Sequence, residues 1–139
     1  MEERRGIRIT LLLVQAFVAL TSIAGGIALI MGAVDAEFTS VLNPPGEELA
    51  DSPFGSYVLP GVVLAVVLGG LHVLAFAMLS RRMPRALFWS AAAGFATLIW
   101  IFVQMIFIPF SVLQAVYFVL GLVELGFVML VLGLLRRRV

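Results

Sequence analysis

The chain has 139 residues, 63% of them hydrophobic and 12% charged, and a mean hydropathy of +1.16. So few charges cannot coat a soluble domain of this size, and the composition is that of a membrane protein. The net charge of +1 says little by itself, but the absence of cysteine excludes disulfides, thiolate metal sites and iron–sulfur clusters, and a single histidine excludes a bis-histidine haem within one chain.

MEERRGIR precedes an apolar run from Ile9 to about Met31. That run is too long for the core of a secretory signal and predicts a first membrane helix over about 8–32. Residues 33–59 are the only extended polar stretch, with Asp35, Glu37, Glu47, Glu48 and Asp51 and no basic residue. Asn43-Pro44-Pro45-Gly46 reads as a turn, with room for at most one helical turn from Glu47 to Asp51. Ser52-Pro53 has the form of a helix start and predicts a short interfacial helix over about 53–59, with Phe54 and Tyr57 as aromatic anchors. Pro60 then forces a fresh start, giving a second membrane helix over about 60–80. The SRRMPRA connection puts Pro84 at the opening of a third helix, about 86–108, anchored by Trp89. Pro109 ends that helix, and Ser111 caps a fourth over about 111–135.

In a four-span arrangement Arg4, Arg5, Arg8, Arg81, Arg82, Arg85, Arg136, Arg137 and Arg138 all fall on one side, and the five loop acids fall on the other. By the positive-inside rule both ends of the chain and the short second connection are cytoplasmic, and the acidic loop is external. Topology and anionic lipid headgroups account for these arginines, so lipid and not nucleic acid is the expected partner.

Small and polar residues mark the faces that meet in a membrane bundle. The fourth helix presents Gln114, Tyr117, Gly121 and Glu124 on one stripe, and the second Gly61, Ala65, Gly69 and His72. The third presents Ser90, Gly94, Thr97, Ile101 and Gln104, and the first Gln15, Ala19, Ser22 and Gly26. Four such faces predict a single all-α domain, an antiparallel four-helix transmembrane bundle. Depth counted along each helix allows a midplane polar layer of Glu124, His72, Thr97 and Ser22, with Tyr117, Gln114 and Gln104 as further members of an intramembrane polar site. Up-down order would set the second and fourth helices diagonally, so contact between His72 and Glu124 is left open.

Glu124 sits near the middle of an apolar run where an unpaired carboxylate costs a few kcal/mol. Its bland role is an interhelical clasp with His72; its sharper role is a proton or ligand site, or contact with a partner protein. No Ser-His-Asp spacing, HExxH, phosphate loop or metal-ligand cluster is present, so no catalytic residue, metal or cofactor is expected. The loop acids lack the spacing of a Ca²⁺ loop. Gly126 and Gly133 are candidates for a homo-oligomeric contact.

Ser52-Pro53-Phe54-x-x-Tyr57-x-x-Pro60-Gly61, Trp100-x-x-x-Gln104 and Gln114-x-x-Tyr117-Phe118-x-x-Gly121-x-x-Glu124 resemble a family of small, uncharacterised four-span bacterial membrane proteins. The resemblance covers about Leu42 to Glu124. It implies a bacterial origin and a four-helix membrane fold, and it transfers no active site. The expected function is a non-enzymatic accessory or scaffolding component of the bacterial cytoplasmic membrane. The alternative is an oligomeric small-molecule or proton transporter using Glu124 and His72, followed by an enzyme acting on a lipophilic substrate.

Overall fold

The computed structural model describes residues 2–43 and 52–135, and its secondary structure there is wholly helical. The expected turn at Pro44–Gly46, the acids Glu47, Glu48 and Asp51, and Arg136, Arg137 and Arg138 lie outside the described residues. The helices are α1 (Glu2–Val34), α2 (Ala36–Leu42), α3 (Val58–Ser80), α4 (Ala86–Phe107) and α5 (Val112–Val131). All but α2 are long and apolar enough to cross a membrane; the shortest, at 20 residues, extends about 30 Å.

The distribution of side chains is inverted relative to a water-soluble bundle. Leu13, Leu20, Val66, Ile99, Phe102 and Leu113 are exposed, while Gln15, Ser22, His72, Ser90, Thr97 and Glu124 are buried. Apolar exteriors with small and polar interiors are what a lipid solvent selects.

The four long helices form a ring in which α1 packs on α3 and α5, and α4 packs on the same two. The pairs α1/α4 and α3/α5 are therefore diagonals. Neighbours run antiparallel. At one end of the α1/α3 seam the Arg8 guanidinium donates to the carbonyls of Leu79 and Ser80 in the last turn of α3, where carbonyls run short of intrahelical partners. At the other end Gly26 meets Gly61: a Cβ on Gly26 would lie 2.5 Å from the Gly61 carbonyl oxygen and 2.6 Å from the Ala65 Cβ. Only glycine permits that approach. Gly94 and Gly121 form a similar but looser contact on the α4/α5 seam, under Leu98 and Leu125.

Several boundaries differ from those expected, each for a local reason. Residues 53–57 are not helical, and α3 starts at Val58. Pro60 falls within its first turn, where a backbone N–H has no intrahelical partner to lose, so no break is needed. Tyr57 is not a surface anchor; it is 5% exposed, and Phe54 meets Phe107 edge-on with ring centroids 6.5 Å apart. Pro84 lies in the turn before α4, and Arg85, at φ 66°, precedes its first residue. The chain leaves α3 through Arg82 at φ 54°, with the Met83 N–H on the Met78 carbonyl and the Arg82 N–H on that of Leu79, a left-handed helix stop without the usual glycine. The end of α5 uses the same pattern with Gly133 at φ +77°, so α5 finishes at Val131 instead of running to 135.

Within the expected loop, α2 was not anticipated. The Asp35 carboxylate caps it by accepting from the Glu37 N–H, and the Thr39 hydroxyl donates to the Gly32 carbonyl at 2.7 Å, folding α2 back on α1. A further feature is a π-helical stretch, Val63–Leu68, inside α3.

Candidate functional site

From the arginine end inward the core begins with an apolar layer, one residue from each long helix: Leu11, Leu79, Ala86 and Val128. One turn further in, the Gln15 amide of α1 donates to the Ser90 hydroxyl of α4 at 2.7 Å, and that hydroxyl donates to the Ala86 carbonyl. This bond crosses one diagonal of the ring.

The other diagonal is crossed by His72 and Glu124. Nε2 of the imidazole lies 3.0 Å from Oε2 of the carboxyl, and both side chains are 0% exposed. Nδ1 lies 2.8 Å from the Leu68 carbonyl. A carbonyl oxygen only accepts, so Nδ1 carries a proton. Nε2 and Oε2 then share one hydrogen bond between α3 and α5. The Thr97 hydroxyl donates to the Ala93 carbonyl and presents its lone pairs to Nε2 at 3.4 Å. The second carboxyl oxygen, Oε1, has no partner. Two crossed hydrogen bonds thus tie all four helices through the axis.

Beyond this layer, in the half of the bundle toward α2, lies a cavity of about 360 Å³. Ser22 of α1 and Leu68 of α3 border it at the clasp end; Trp100, Gln104, Gln114 and Tyr117 line its sides, and Phe54 and Tyr57 also line it. Its lining is mostly apolar and, among the described residues, includes no acid, arginine or histidine. The Ser22 hydroxyl and the Trp100 indole N–H are buried without a partner.

Of the seven residues expected in one polar site, Glu124, His72 and Thr97 come together. Ser22 lies at their depth, seven residues beyond Gln15 on α1 as Thr97 is seven beyond Ser90 on α4, but its hydroxyl makes no bond to them and it lines the cavity with Gln104, Gln114 and Tyr117. Gln114 has a local task as well. Its side chain accepts from the Ser111 N–H while the Ser111 hydroxyl accepts from the Gln114 N–H, a capping box at the start of α5. Gln15 and Ser90, each on its helix's inward stripe by spacing, belong to the polar core as well, four residues in from the arginine-end layer on opposite helices. Gly126 faces open space, and Gly133 serves as a helix stop.

At the arginine end Arg4, Arg5, Arg8, Arg82 and Glu2 line a shallow groove. Among the described residues no group of three or more His, Asp or Glu side chains is placed to hold a metal. No protein-family model matches the chain, and no curated protein or solved structure is significantly similar to it.

Proposed function

We propose that the protein is a non-enzymatic accessory or scaffolding component of the bacterial cytoplasmic membrane. Its four long helices span the bilayer, both ends of the chain are cytoplasmic, and its polar core holds the bundle together. The observation that carries this reading is the isolation of the His72–Glu124 pair. Both side chains are fully buried, neither lines the cavity, and an apolar layer separates them from the arginine end. A proton relay or a general acid needs access to a donor or a substrate; a clasp needs only its partner. The four small-residue faces, the exposed arginines Arg4, Arg5, Arg81, Arg82 and Arg85, and the resemblance to small four-span bacterial membrane proteins support the same reading. These arginines meet anionic headgroups, whereas Arg8 is engaged by the end of α3.

Substitution separates a clasp from a working site. Glu124→Gln keeps a donor for Nε2 and costs under about 1 kcal/mol, while Glu124→Ala strands a buried imidazole nitrogen and costs about 1–3 kcal/mol. In detergent melting, Glu124→Ala combined with His72→Ala costs no more than the worse single change, because the pair acts as one unit. The purified protein in vesicles with a trapped pH dye passes protons no faster than empty vesicles. A flux above that background that Glu124→Gln abolishes would make the protein a transporter and overturn the reading.

A further inference from the structure

We infer that the cavity bordering the clasp is a binding site for a neutral lipophilic molecule carrying carbonyl oxygens, the chemistry shared by lipid-soluble quinones and acyl esters. Three observations converge on that class. The volume, about 360 Å³, falls in the range of small-molecule sites, which are mostly apolar with a few placed polar groups. Among the described residues no charged side chain lines the space, so a charged ligand would meet no counter-ion from them and pay a heavy desolvation cost. The two buried orphans among its lining residues are hydrogen-bond donors: the Ser22 hydroxyl, on a residue 1% exposed, and the Trp100 indole N–H, which can only donate.

Buried donors without acceptors are rare enough to require an explanation, and the matching missing group is an acceptor. Water alone is a poor filler. The space has room for on the order of ten waters, each wanting two to four polar partners; Gln104, Gln114 and Tyr117 offer some, but most of the wall is apolar, with Leu29, Leu64 and Ile101 among it. A ligand that is mostly hydrocarbon with one or two carbonyls satisfies both the walls and the donors. The site is separate from the clasp, and its occupancy is read without touching His72 or Glu124, so the two proposals fail independently.

Trp100 is also the reporter. The chain has two tryptophans, and Trp89→Phe at the arginine end leaves only the one that lines the cavity. Titrating that variant in detergent with decylubiquinone quenches its fluorescence along a saturable curve. Ser22→Ala weakens the apparent affinity about fivefold, the loss of one hydrogen bond. Gly25→Leu abolishes saturation: Gly25 lines the cavity, and an added Cβ there meets only the Leu64 Cδ2, at 3.4 Å, so the new side chain fills the space without lowering the melting temperature. Should Gly25→Leu melt lower, the Ser22→Ala ratio decides alone. Displacement of the quinone by dioctanoylglycerol identifies an ester carbonyl as the natural chemistry, and failure to displace identifies ring carbonyls; each upholds a carbonyl site. Quenching that rises linearly with quinone content of the micelle, or that Ser22→Ala leaves unchanged, overturns the proposal and leaves the cavity to water.

Discussion

Two polar pairs, Gln15 with Ser90 and His72 with Glu124, cross the core on its two diagonals, and that sets what a single substitution there does. Ser90→Ala removes the acceptor of the Gln15 amide and leaves a second buried polar atom on a side chain whose Oε1 is already bare; melting should show a loss of about 1–3 kcal/mol. Adding Gln15→Leu to that variant restores most of it, because removing both partners costs far less than removing one. If the double variant is no better than the single, the bond is not what holds those residues. His72 was legible as a core residue because it is the last rung of a small-residue ladder ending on the only histidine, and Glu124 because it is the lone charge in its run. Their contact was not legible. Spacing within a helix gives a face and a depth but not the reach across a ring, and here two long side chains meet across helices whose backbones scarcely approach. Ser22 shows the same limit: it shares the depth of Thr97, as counting along the helix expects, yet its hydroxyl makes no bond to the clasp.

At the scale of elements, the α1/α3 seam depends on backbones in contact. Gly26→Ala places a methyl 2.5 Å from the Gly61 carbonyl, which has no freedom to move aside, and should cost about 1–3 kcal/mol or more as α1 and α3 are forced apart. Gly126→Ala, with nothing within 4 Å, should raise stability by about 0.5–1 kcal/mol through helix propensity alone. Equal effects in a thermal melt would show that the seam is not a contact of backbones. The small-xxx-small ladder of α3 foretold this seam, and four long apolar runs foretold four long helices. The missed elements are short and cued by single residues. The α2 helix rests on an Asp35 cap and a Thr39 hydroxyl, the stop after α3 on an arginine in a glycine's conformation, and the α3 start on Pro60 being tolerated in a first turn. No run of hydropathy announces any of these.

For the molecule as a whole, the arginine clusters and the acidic stretch make a topological prediction. A phosphatase reporter, active only outside the cytoplasm, should be silent when fused after Val139 and active when inserted near Asp51; the reverse pattern would invert the bundle. The fold also implies an order of biogenesis. Arg8 closes on carbonyls some seventy residues downstream, and His72 finds Glu124 a further 52 residues on. As the ribosome delivers the chain, the α1/α3 hairpin is therefore complete, glycine seam and arginine latch included, while α5 is still being synthesised. During that interval His72 has half of its requirements met by the Leu68 carbonyl of its own helix, which leaves one nitrogen to be paired. Glu124 has no such local support, and it emerges into a groove where the imidazole is already in place. On the proposed membrane-spanning role, α5 is thus recruited by a polar group that the earlier helices have preorganised, and entry of the carboxylate and closure of the ring become the same event.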